Sequence, residues 1–298
     1  MQKIILALIN NLDINKTYMN DLNLKDKVAV ITGGAGIICT TLSKSLAAQG
    51  VKTIILDLNI EAAKEVAADI EKNFMTPSIG LSANVLDKAS MEAAKKVIHD
   101  KFGPVDILVN GAGGNSPEAT TKVEKMDGSE QENPDDTFFG LKIEAFDKVF
   151  DLNFKGTLIP SMVFGRDMVK KKSGVIVNIS SMNSYRPLTK IAAYSAAKAA
   201  VNNFTQWLAV HFAKTGIRVN AIAPGFLLTN QNRFLLIDEK TGGFTPRGNK
   251  IINGTPMERY CVPDELTGTL IYLVSDLSKF VTGIVIPVDG GFSAYSGV

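Results

Sequence analysis

The chain has 298 residues, 45% of them hydrophobic and 21% charged, with a formal net charge of +2. That length buries a sizeable core, and so small a charge, without a basic patch interleaved with aromatics, excludes electrostatic capture of nucleic acid or of an anionic membrane. Two cysteines, Cys39 and Cys261, make no disulfide framework, and two histidines, His99 and His211, make no metal cluster.

Residues 1–23 read as an extension, and the domain is expected over 24–298. The opening MQKIILALIN is too short, and lacks the small-residue cleavage site, for a signal peptide. No apolar run approaches the ~18 residues of a membrane span, so a cytoplasmic location is the expectation. Lys27 to Thr32 is a short apolar run bounded by glycine, the pattern of a parallel strand buried on both faces. Gly33, Gly34 and Gly36 then lead into a helical segment that ends near Gly50. Glycines between a strand and a helix let backbone approach a pyrophosphate held at the helix N-terminus. A second strand, Val51 to Leu56, runs into Asp57, which stands 24 residues beyond Gly33, where a ribose-binding carboxylate belongs.

The alternation repeats with helices over about 60–73 and 88–101 and strands over 78–84 and 105–109. The fourth strand enters Asn110-Gly111-Ala112-Gly113-Gly114, a second small-residue loop. Such alternation predicts one doubly wound α/β domain of Rossmann type, a seven-stranded parallel sheet flanked by helices, with its ligand beyond the carboxyl ends of the strands. The polar, aperiodic stretch 115–142 reads as an insertion leaving that edge beside the site, able to form one wall of a pocket. A long helix is expected over 143–171, interrupted near Pro160 and carrying Asn153.

Next come a buried strand ending at Ser181, a loop, and an alanine-rich helix that places Tyr194 and Lys198 four apart on one face. Lowering a phenol pKa from ~10 to about 7 takes roughly 4 kcal/mol, which a cation at about 4 Å supplies with an effective dielectric of about 20. The expectation is therefore a tyrosine tuned by its lysine. Val201, Phe204, Leu208 and Phe212 further along read as core or subunit contact. A strand over 218–223 leads to Pro224 and Gly225; residues 227–257 read as a mobile lid, Pro263 opens a last long helix, and Val281–Val288 is the final strand.

The ordered set Thr32-Gly33 with Gly36, Asp57, Asn110 to Gly113, Asn153, Ser181, Tyr194 with Lys198, Pro224-Gly225 and Val288 to Gly291 resembles the short-chain dehydrogenases/reductases, over about Leu24 to the C-terminus. Ser181 stands thirteen residues before Tyr194, as that family's pattern asks. The resemblance implies that Tyr194 exchanges a proton with the substrate oxygen and that Ser181 hydrogen-bonds the same oxygen. Lys198 would lower the tyrosine pKa and bind the nicotinamide ribose, and Asn153 would hold a relay water. The cofactor would lie on Gly33, Gly36, Ile37 and Ile38 at its phosphates, with Asn84 and Val85 at the adenine. Asn110, Ala112 and Gly113 would line its middle, and Pro224, Gly225, Leu227 and Thr229 its nicotinamide end. Asp57 implies NAD over NADP, because a carboxylate hydrogen-bonds ribose hydroxyls and repels a 2′-phosphate.

Two departures from the family pattern stand out. Ile37 and Cys39 occupy positions where glycines are usual, which implies displaced phosphate contacts, and Asn84 stands where aspartate is usual. A narrower similarity, carried by AGGN, SSMNSYRPLT, APGFLLTNQNR and the tail DGGFSAYSGV, is to the D-mannonate oxidoreductase (fructuronate reductase) subgroup. It implies a sugar-acid substrate, with Arg186 or Arg233 pairing its carboxylate in bidentate fashion. The alternative for each arginine is a tie between loops and surface acids. Asn115, Asn183, Gln231 and Asn232 would hydrogen-bond the polyol chain. Another polyol or a ketogluconate, as in a gluconate 5-dehydrogenase, is the second reading, and a non-catalytic nucleotide-binding protein the third. The family resemblance also implies a homo-oligomer, a dimer or tetramer; the small net charge leaves no nucleic-acid or membrane partner expected.

Overall fold

The computed structural model of the protein describes residues 22–128, 133–229 and 232–297. Its framework is the expected alternation: β1 (Val28–Thr32), α1 (Ile37–Ala47), β2 (Lys52–Asp57), α2 (Ile60–Phe74), β3 (Ser78–Ser82), α3 (Lys88–Phe102) and β4 (Ile107–Asn110). After the insertion come α4 (Ile143–Lys171), β5 (Gly174–Ile179), α5 (Ala192–Phe212) and β6 (Ile217–Pro224). Two short helices, α6 (Arg233–Leu236) and α7 (Pro246–Asn253), lie in the lid region, and α8 (Thr267–Val274) precedes β7 (Val285–Val288).

The seven strands form one sheet in the order β3-β2-β1-β4-β5-β6-β7, and every neighbouring pair is parallel. Parallel strands need helical crossovers, which cover both faces of the sheet. Period-two alternation divides β1 between two cores. In β1, Val28 and Val30 face the layer containing Phe164, Met168 and Leu208. Ala29 and Ile31 face the layer of Leu42, Leu46 and Leu270. The strand order reverses between β1 and β4, so the crevice at their carboxyl ends is the place for a ligand.

The helix ends follow capping chemistry. Asn59 accepts from Ala62 N–H at the start of α2, and Asp87 accepts from Ala89 N–H at the start of α3. Lys172 closes α4 in the left-handed conformation, and Lys171 on the last turn reaches the Asp106 carboxylate.

Three local expectations change. The 143–171 helix is continuous through Pro160. A proline there removes one backbone hydrogen bond, but the turns on either side are fastened by Asn153, Val163, Phe164 and Met168, all fully buried, and packing outweighs the local loss. The last helix begins as a 3₁₀ turn, Pro263–Leu266, before α8. The final strand is shorter than 281–288, because Gly283 adopts φ +81° and breaks the extended run ahead of β7. No helix among the described residues is long and apolar enough to cross a membrane.

Candidate active site

Two glycine loops meet above the β1/β4 crevice. Gly33 has φ +60°, and a Cβ there would lie 2.8 Å from the Ala112 Cα, so the loops touch backbone to backbone. The Thr32 hydroxyl at the end of β1 clips the second loop by accepting from Gly111 N–H at 3.1 Å and Ala112 N–H at 3.3 Å. Gly36 is the N-cap of α1 and supplies no side chain, which leaves the first-turn N–H groups for an anion. The Asp57 carboxylate, at the end of β2, accepts from Ala35 N–H at 3.2 Å and Asn59 N–H at 3.0 Å, so it borders the first loop as its spacing implied.

Cys39 resolves the first departure from the family pattern. Its side chain is buried and fills the space beneath Gly111, where a Cβ would fall 2.1 Å from the Cys39 Sγ. The thiol therefore points away from the loop surface, and burial pushes its pKa up to about 12. Ile37 is half-buried, and Ile38 lines the cleft. Asn84 uses its Oδ1 locally, accepting from Leu86 N–H, and Val85 packs against Gly156 of α4.

The second loop is braced from below. Asn153, fully buried on α4, donates from Nδ2 to the Gly114 and Val149 carbonyls at 2.7 Å and accepts from Gly114 N–H at 3.2 Å. A Cβ on Gly113 would lie 2.6 Å from Asn153 Oδ1 and 3.2 Å from Lys198 Nζ, so only glycine fits between them. Asn110 ends β4 and donates to Asn178 and Ser161, and Asn178 donates to Thr205 on α5. This buried chain of amides and hydroxyls ties α4 to α5 beneath the site. Periodicity gave no sign of it, since each member reads singly as a polar residue in an apolar strand or helix.

Ser181, Tyr194 and Lys198 converge on one cleft of about 320 Å³, which Asn183, Gly225, Leu227 and Thr229 also line. Ser181 follows β5 and accepts from Asn183 N–H at 3.2 Å, which fixes the loop that carries it. The Lys198 ammonium donates to the Ile179 carbonyl at 2.7 Å and lies 5.6 Å from the centre of the Tyr194 ring. Burial pulls the Lys198 pKa down to about 8. Burial likewise pushes the Tyr194 phenol above its usual value, and its hydrogen bond with Ser181 only partly offsets this. The expected lysine-driven acidification of Tyr194 is thus absent from this arrangement: the cation is turned to a carbonyl, and desolvation dominates.

The proposed substrate residues separate. Asn183 is buried at the cleft with its Oδ1 unpartnered. Arg186, by contrast, is exposed and donates from Nε to the Ser293 carbonyl at 2.8 Å, the loop-tying alternative rather than a cleft position. Asn115 is exposed and donates to Thr120. Asn232 braces Thr229 and Leu227 through both ends of its amide. Arg233 opens α6 exposed to solvent, and Gln231 lies outside the described residues. Gly225 is required by close approach, since a Cβ would meet the Asp289 Cα at 2.5 Å. Sequence reading did not single out Met182 and Phe226 as cleft residues; their adjacency to Ser181 and Gly225 was the available signal.

A parallel α/β sheet, two touching glycine loops at its switch point, and a tyrosine, serine and lysine in the adjoining cleft define a dinucleotide-type oxidoreductase. The chain belongs to the short chain dehydrogenase family, whose model matches residues 27–240. It is 50% identical over 277 residues to an uncharacterized oxidoreductase of Bacillus subtilis, covering 93% of this chain and 98% of that one. A Haemophilus influenzae structure with bound NAD, provisionally named a D-mannonate oxidoreductase, superposes with TM-score 0.88 at 49% identity, covering 93% and 99% of the two chains. A 2-dehydro-3-deoxy-D-gluconate 5-dehydrogenase of Formosa agariphila is 31% identical over 277 residues, covering 92% and 96%.

Proposed function

We propose that this chain is an NAD-dependent dehydrogenase that interconverts D-mannonate and D-fructuronate. The observation that carries the reading is the convergence of Ser181, Tyr194 and Lys198 on the cleft that the two glycine loops open into. The similarity to the NAD-bound Haemophilus influenzae protein supports both the cofactor and the sugar acid.

The residues present fit a dinucleotide. Gly33 and Gly113 let the two loops pack against each other and against Asn153 at the switch point, the Gly36 N-cap leaves the first-turn N–H groups of α1 open to a phosphate, and Asp57 stands where ribose hydroxyls would reach it and a 2′-phosphate would be repelled. Gly36, Ile37 and Ile38 would hold the phosphates, Asn84 and Val85 the adenine, and Asn110 and Ala112 the middle. Pro224, Gly225, Leu227 and Thr229 would hold the carboxamide end. Bound there, a nicotinamide supplies or accepts the hydride.

The chain's own part is orientation and one proton. Tyr194, kept protonated by burial, donates its proton to a substrate carbonyl oxygen, and Ser181 hydrogen-bonds the same oxygen. Lys198 lies behind the phenol, where it would steady the anion that remains, and Asn153 holds the Gly114 loop that would border the ribose. The reverse reaction needs the phenolate and so gains with rising pH.

A second reading, oxidation of a ketogluconate-type acid, draws on the Formosa agariphila relative. Turnover with a panel of aldonates, ketoaldonates and neutral polyols decides: D-mannonate or D-fructuronate is expected to give the highest kcat/KM. Equal turnover of neutral polyols defeats the sugar-acid assignment.

A further inference from the structure

Beyond the cleft, between the insertion and the lid, lies a hollow whose wall includes Phe226, which also lines the cleft, together with Leu188 and Phe292. Three cations face into it: Lys190 from the loop before α5, and Arg247 and Lys250 from α7. Among the described residues that line it, one carboxylate answers them. Glu124 of the insertion meets Lys250 at 2.9 Å, and its pKa is held below the usual range, chiefly by that hydrogen bond, with Lys190 and Arg247 adding smaller attractions.

Two features make this more than a surface ion pair. Among the described residues that line the hollow, three positive groups face a single negative one, and the Lys190 and Arg247 side chains donate to none of the other described residues. Lys190 is also held at φ +75°, a conformation that non-glycine residues rarely adopt, with its carbonyl taken by Thr121 N–H of the insertion at 3.1 Å. Strain of that kind persists where surrounding structure over-determines a position, and it gathers at ligand clamps. Lys190 stands four residues before Tyr194, so the clamp is built into the approach to the catalytic helix. Arg186 is committed to Ser293, which leaves the acid end of a substrate in need of other cations.

We propose that Lys190, Arg247 and Lys250 form the subsite for the substrate's carboxylate, with Glu124 as the internal counter-ion that the substrate displaces. The inference rests on the sugar-acid reading and names the residues that select an acid over a neutral polyol. Arg247 contributes a planar fork matched to a carboxylate, and the lysines contribute point charges that raise the local anion concentration. The insertion and the lid then act together, since each supplies one side of the clamp.

The test is titration calorimetry of D-mannonate into the NADH-loaded protein, a pair that cannot react, compared across the parent, an Arg247→Met/Lys250→Met double variant and Glu124→Gln. The double variant is expected to weaken binding about tenfold or more. Glu124→Gln is expected to tighten it, because a competing carboxylate is gone. D-mannitol run alongside is expected to respond to neither change. Unchanged D-mannonate binding in the double variant overturns the subsite, as does absence of binding to the parent or an equal loss for D-mannitol. Turnover of the parent is measured separately: tight D-mannonate binding without turnover sinks the functional reading and leaves the subsite standing.

Discussion

The floor of the site and its rim are built from the same kinds of polar residue but by opposite means. On the floor, Asn153, Asn110, Asn178 and Lys198 are buried, and their donors have fixed partners at 2.7–2.9 Å. At the rim, Lys122–Asp136 within the insertion and Lys250–Glu124 between α7 and the insertion are exposed ion pairs. Buried polar groups left unpaired are costly, so each floor contact holds a geometry; exposed pairs are screened and exchange readily with water or ligand. On the proposed function, the floor would carry the chemistry and the rim the selection.

The sharpest way to break that division is Tyr194→Phe. If the floor carries the proton, turnover falls by about 10³-fold while NADH binding, followed by its dihydronicotinamide fluorescence, stays near the parent. Retained turnover would place the acid elsewhere and dissolve the distinction.

Lys198→Met tests the cost side of a buried floor. The ammonium pKa falls from 10.5 to about 8 on folding. The unfolded chain therefore binds more protons between those values, and the stability of the parent rises as pH climbs from about 8 to 10.5. Below pH 8 the buried cation opposes folding by about 3 kcal/mol, so the methionine variant is expected to be more stable at pH 7, by an amount that shrinks towards pH 10.5. Thermal unfolding at several pH values reads this directly, and a variant less stable than the parent at pH 7 would show that the Ile179 contact outweighs desolvation.

At the rim, Lys122→Met removes an exposed pair and is expected to leave Tm and kcat unchanged within error, in low and high salt alike. A clear loss of Tm would make the insertion a structural element rather than a substrate-facing one.

Much of the floor was legible in the chain because it is local. The glycines after β1, Asp57 after β2, and Tyr194 with Lys198 one turn apart are fixed by helix and strand periods that any reader of the sequence can count. Hydrophobic alternation likewise specified seven strands and their crossover helices, since a parallel sheet covered on both faces admits few other solutions. What escaped is non-local. Pro160 continues a helix only because buried neighbours hold it; Arg186 is occupied by Ser293, 107 residues away; Lys250 meets Glu124 across 126 residues. The direction of the Tyr194 shift escaped too, because desolvation depends on everything packed around the phenol, whereas the spacing to Lys198 reports one neighbour. The amino-acid order thus determined which groups are offered at the strand ends. Only the folded chain decided which of them are buried, which are already partnered, and which remain for a ligand, since burial and partnership arise from contacts that no local period encodes.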